Sequence, residues 1–120
     1  MMFETKDALD ELWLTEKAFW ENEPGSNSPT MADDGFMLLP GNGYTDGSEL
    51  ADILDERLHF DKVSIRDKRE LRPALDVRIL VYRIVARRRG LPDYVADCSS
   101  TYRREGDKIV MQQHHQCPVG

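Results

Sequence analysis

The chain has 120 residues, a formal net charge of −6, 40% hydrophobic and 32% charged content. That length bounds one domain, 1–120, able to bury about two-thirds of its unfolded surface, and the composition excludes a disordered chain. The acidic balance tells against nucleic acid, whose binders neutralise phosphates with clustered cations, and no apolar run approaches the ~20 residues of a membrane span.

The opening residues, Met1-Met2-Phe3-Glu4-Thr5-Lys6-Asp7, have neither a basic region nor an apolar run behind it. That argues against a secretory leader and predicts a cytoplasmic protein, with Cys98 and Cys117 as reduced thiols. The one basic run, Arg87-Arg88-Arg89, is followed by Gly90-Leu91-Pro92 and reads as a solvated hairpin tip.

Taken in chain order, Thr5 to Asn22 predicts an amphipathic helix. Thr5 can cap it, Asp7 and Asp10 favour its positive end, and Leu9, Leu12, Trp13, Glu16, Phe19 and Trp20 form one stripe. Glu23-Pro24-Gly25 stops it. Ser28-Pro29 has the form of an N-cap and first helical residue, which predicts a short helix through Asp33. A short strand from Gly35 to Leu39 and a turn at Pro40-Gly41-Asn42-Gly43 follow. Asp46 and Glu49 resemble a capping box for a second helix to about Leu58, turning Leu50, Ile53, Leu54 and Leu58 inward.

The last half predicts strands. Phe60 to Leu71 alternates weakly and is densely charged, as an exposed or edge strand should be. Arg72-Pro73-Ala74 turns the chain into the apolar run Leu75 to Arg87. Ser99 to Glu105, the two-residue connection Gly106-Asp107 and Lys108 to Pro118 then form a hairpin. Helix, short helix, strand, helix and a four-stranded antiparallel meander together describe an α+β layer fold.

Three segments, Asp33-Asp34-Gly35-Phe36, Tyr102-Arg103-Arg104-Glu105-Gly106 and His114-His115-Gln116-Cys117-Pro118, resemble motifs of the superfamily named after nuclear transport factor 2. That group includes ketosteroid isomerase, scytalone dehydratase and the SnoaL-like cyclases, and the resemblance is to its small bacterial domains of unknown function. It covers nearly the whole chain. Ile109 stands where an aromatic is common, and Cys117 where a hydroxyl residue is common. The resemblance implies a cone-shaped, curved antiparallel (cystatin-like) sheet with N-terminal helices on its concave face. It also implies a pocket between helix and sheet, and dimers formed through the outer face. It implies no shared chemistry.

Strand alternation sorts the meander into two faces. With Gly106-Asp107 as the turn, Tyr102 faces Met111, Ser100 faces Gln113 and Cys98 faces His115; a turn over Arg89 to Pro92 sets Cys98 opposite Arg83. The concave set then includes Val77, Ile79, Val81, Arg83, Cys98, Ser100, Tyr102, Met111, His115 and Cys117. The outer set includes Leu80, Tyr82, Ile84, Gln112, His114 and Gln116. A one-residue slip would exchange the faces.

On this register Arg83, Cys98 and His115 form a polar row opposite Glu16, which is centred on the helix stripe between Trp13 and Trp20. A buried carboxylate needs a cation, hydrogen bonds or a proton. The expected ligand-binding residues are therefore Trp13, Glu16, Trp20, Arg83, Cys98, Tyr102 and His115, with Glu16 and His115 the candidates for acid–base chemistry. No metal or cofactor site is expected: His114 and His115 are adjacent on a strand and point to opposite faces, and Gly41-Asn42-Gly43 lacks a phosphate loop's lysine. Cys98 and Cys117 are offset too far for a disulfide and should both be free and largely buried.

Three functions fit these residues. The first is a homodimer that binds a small apolar or weakly acidic molecule. The second is an isomerase, dehydratase or cyclase using Glu16 or His115. The third is a structural or regulatory dimer module, favoured if Trp13, Trp20, Tyr102 and Met111 fill the interior.

Overall fold

The computed structural model describes residues 6–21, 29–41, 43–46, 60 and 62–119. One helix, α1 (Lys6–Glu21), precedes six strands: β1 (Met31–Leu39), β2 (Gly43–Asp46), β3 (Lys62–Ala74), β4 (Val77–Arg87), β5 (Tyr94–Glu105) and β6 (Lys108–Pro118). They form one sheet in the order β2-β1-β6-β5-β4-β3. The meander is antiparallel throughout, but β1 runs parallel to β6, so the sheet is mixed.

α1 buries the stripe its sequence announces. Leu12, Trp13, Glu16, Phe19 and Trp20 are buried, while Leu14 on the opposite side is 65% exposed. The stripe packs on the inner sheet face, made by Leu80, Tyr82, Ile84 and Ala86 of β4, Ala96, Cys98 and Tyr102 of β5, Met111 of β6, and Met37 and Leu39 of β1. On the outer face Val77, Ile79, Val81 and Val85 are half-buried.

Several local expectations give way to tertiary pairing. Met31 to Asp33 is strand, not helix, because β6 captures this segment: Met111 N–H donates to Thr30 O at 2.8 Å and Met31 pairs with Met111. An N-cap signal worth about 1 kcal/mol cannot compete with a whole strand pairing. Asp46 is the last residue of β2; Glu49 and the helix expected to Leu58 lie outside the described residues, as do Thr5 and Ser28. Pro73 does not end β3, which runs to Ala74 with a register shift after Leu71, as suits a proline on an edge strand.

Two one-residue shifts decide the faces. The β4–β5 connection closes through Leu91 N–H to Arg88 O, which pairs Tyr82 with Cys98 and Arg83 with Asp97. In β5–β6, Arg104↔Ile109 and Tyr102↔Met111 follow the expected register. A bulge then inserts Gln112, so that Ser100 faces His114 and Cys98 faces Gln116. Each shift exchanges inside for outside. Arg83 therefore lies on the outer face, where it holds Asp97 at 2.9 Å, and His115 is exposed. Neither belongs to the inner polar row assigned to it from sequence; Tyr82 and His114 stand there instead. The same bulge turns Cys117 out to solvent, against the expectation that it is buried, while Cys98 is buried; both thiols are free.

Candidate functional site

Among the described residues the inner face carries a polar cluster centred on Glu16. This carboxylate is fully buried, presented by the middle of α1 to β4 and β5. The Tyr82 hydroxyl and the Ser100 hydroxyl both donate to its Oε2, and Tyr102 donates to Oε1 at 2.6 Å. His114 Nδ1 lies 3.5 Å from Oε2 and 2.6 Å from the Ser100 oxygen. The cluster extends both ways: Trp20 Nε1 donates to the Tyr82 oxygen at 2.8 Å, and Gln116 Nε2 meets His114 Nε2 at 3.1 Å. Tyr94 in turn donates to Gln116 Oε1 at 2.9 Å.

These contacts fix proton positions. Ser100 has a single hydrogen and donates it to Glu16, so its oxygen accepts from a hydrogen on His114 Nδ1. Every hydrogen in the row points toward the carboxylate. Burial pushes the Glu16 pKa up, but the hydrogen bond and charge of His114, then the hydroxyls of Ser100 and Tyr102, outweigh it and leave it below its ordinary value. Burial, then the adjacent Glu16 charge, raises Tyr82 and Tyr102 well above theirs.

Aromatic rings close the surroundings. Phe19 lies edge-on to His114 at 4.8 Å, and Trp20 stands 5.9 Å from the same ring. Trp13 meets Tyr82 edge-on at 5.7 Å, donates to Glu70 at 2.8 Å and carries the Lys68 ammonium 5.3 Å from its ring centre. Burial first, then the Glu16 charge, holds the Cys98 thiol far above its usual range.

Of the residues expected at a pocket, Trp13, Glu16, Trp20, Cys98 and Tyr102 come together on the inner side; Arg83 and His115 do not. Sequence reasoning did not select Tyr82, Ser100, His114 and Gln116. Ser100 already stood in the concave set and Tyr82 was within reach of a turn centred one residue earlier, but nothing in Met111-Gln112-Gln113 signals a bulge. Among the described residues no three His, Cys, Asp or Glu side chains gather as a metal site, and no helix is long and apolar enough to cross a membrane.

No protein-family model matches the chain, and no curated protein matches it. Solved structures do. A nuclear-transport-factor-2-like protein from Cytophaga hutchinsonii aligns with a TM-score of 0.74 at 12% identity, over 97% of this chain and 98% of that one. The hexachlorocyclohexane dehydrochlorinase LinA type 2 gives 0.67 at 14% identity, over 96% and 88%. The association domain of C. elegans CaMKII gives 0.70 at 10% identity, over 93% of each. At such identities the likeness is one of fold, and the chain has the α+β fold of the nuclear-transport-factor-2-like proteins.

Proposed function

We propose that this protein binds a small molecule on the inner face of the sheet, with Glu16 as the polar end of the site. One observation carries the reading: a carboxylate with no exposure accepts hydrogen bonds from three hydroxyls and lies beside an imidazole. Docking a helix on a sheet does not require this, since apolar residues of similar volume hold such an interface as well or better. A buried, perturbed acid beside an imidazole is the kind of group that ligand and proton chemistry uses. The ionised Glu16 changes the ligand expected. A carboxylic acid would meet like charge, so the fitting class is a neutral or cationic molecule that presents a hydroxyl or N–H. If the site is catalytic, Glu16 is the base and His114, not His115, its partner.

A second reading, an assembly module, draws on the packing. Trp13, Trp20, Tyr102 and Met111 are all buried in the interior, and the valine-rich outer face would be covered by a second copy across a two-fold axis. A thermal-shift panel of neutral alcohols, ketones, amines and carboxylic acids tests the two. Stabilisation by donors that vanishes in Glu16→Gln supports a ligand site. No shift from any class, with a stable dimer, supports assembly.

A further inference from the structure

Charge is segregated along this chain. Between Lys62 and Arg89 stand ten Lys or Arg against three Asp or Glu; the remaining residues hold six against nineteen. The basic stretch is β3–β4, and β3 is one edge of the sheet. The opposite edge, β2 with β1, carries Asp33, Asp34 and Asp46 around an open cleft of about 630 Å³, also lined by Met31 and Tyr44. The two edges differ in shape as well. At the basic edge Leu71 and Leu75 are 51% and 71% exposed, with Leu75 projecting from the β3–β4 turn beside Arg72. At the acidic edge the cleft is recessed, and Tyr44 is 62% exposed.

We propose that these edges meet between copies of this chain: the Leu75 turn of one molecule enters the cleft beside Tyr44 and Met31 of the next. Arg69 and Arg72 then face Asp33 and Asp34. The leucine knob meets a recess in which Met31, Ala32 and Tyr44 stand beside the aspartates, and the two rims are mainly of opposite charge, although Asp34 already holds Arg103 at 3.4 Å and Glu70 lies between Arg69 and Arg72. Because the two surfaces are different, the contact is heterologous and builds species beyond a dimer, closing into a ring or continuing as a chain. Strand-to-strand pairing is not needed. The bulge at Asp67 (φ 55°) and Pro73 protect β3 from it, so side chains carry the contact.

Sedimentation velocity on the intact chain tests this. The wild type should form species heavier than a dimer at about 0.05 M salt that dissociate at about 0.5 M, where charge is screened. Arg69→Glu/Arg72→Glu should weaken the association about tenfold or more, as should Asp33→Arg/Asp34→Arg. Mixing the two reversed proteins should restore it, and Leu75→Asp should abolish it. Mass that ignores salt and all three variants would overturn the proposal. So would loss that mixing does not rescue, or a basic edge that takes heparin or RNA while the protein shows no self-association.

Discussion

The Ser100 hydroxyl lies between His114 Nδ1 and Glu16 Oε2, joining β5, β6 and α1 through two hydrogen bonds that point the same way. The imidazole donates to serine and serine donates to the carboxylate. Glu16 is thus the acceptor on which three elements converge, and its removal leaves several donors without an acceptor in a buried space.

Glu16→Ala should therefore cost about 3–5 kcal/mol, since each stranded hydroxyl carries its own desolvation penalty. Glu16→Gln keeps the volume and one acceptor oxygen, and its cost should be about 1–2 kcal/mol. Urea unfolding followed by tryptophan fluorescence measures both, because Trp13 and Trp20 lie in the same interior. Equal stability of wild type and Glu16→Ala would remove the hub.

The same groups set a pH window. The native Glu16 pKa is depressed from 4.5, so its contribution is fully present above about pH 4.5 and lost as pH falls through the native value. Tyr82 and Tyr102 are raised above 10.0, so theirs is present below pH 10 and lost as pH rises beyond it. Stability plotted against pH should fall at both ends, and Glu16→Gln should flatten the acid limb. Phenolate absorbance from Tyr82 and Tyr102 should emerge only with unfolding.

Thiol chemistry separates the two cysteines. Cys98 is buried with its thiol pKa pushed far up, whereas Cys117 is exposed on the last strand. An aromatic disulfide reagent at neutral pH should titrate one thiol in the native protein and both after unfolding. Rapid reaction of Cys98 would show that the interior opens.

How far the sequence foretells this arrangement depends on how local each signal is. The α1 stripe was readable because a helix repeats over many residues, and Glu16 stood out within it as the one charge among apolar neighbours. Tyr102 opposite Met111 was readable because only a two-residue turn separates their strands. Ser100 opposite His114 was not, because an inserted Gln112 leaves no mark in composition yet moves every later residue to the other face. The candidate row was thus right in its helix and in β5, and wrong by one residue in β4 and β6. The strand at Met31 was hidden for another reason: its partner, β6, lies some eighty residues away.

If the outer face pairs with a second copy, Val81 is the residue to test. It sits between Ile79 and Arg83 on the outer face of β4, half-buried in the single chain. Val81→Glu should place like charges across a two-fold contact and shift the protein to monomer in light-scattering mass measurements, with its circular dichroism unchanged. A dimer that survives this change would move the interface elsewhere.

Two glycines of the β1–β2 region should respond oppositely to the same substitutions. At Gly35, within Asp33-Asp34-Gly35-Phe36, an added Cβ would stand 2.9 Å from Met31 Cε and 3.0 Å from the carbonyl oxygens of Ala32 and Met111. The methionine tip can swing aside, but the two carbonyls belong to strands that the β1–β6 pairing holds in place. Lack of space is the constraint there. At Gly43 a Cβ would meet nothing within 4 Å, but φ is +68°, a conformation that disfavours most side chains. Gly43→Ala should cost about 1–2 kcal/mol, and Gly43→Asn should recover part of it, because asparagine tolerates the left-handed region. Gly35→Ala should cost about 1–3 kcal/mol, and Gly35→Asn more, because a larger side chain only deepens the collision. Thermal unfolding of the four variants gives the ranking. If Asn rescues position 35 as it does position 43, the close approach of β1 to β6 is not what the glycine serves.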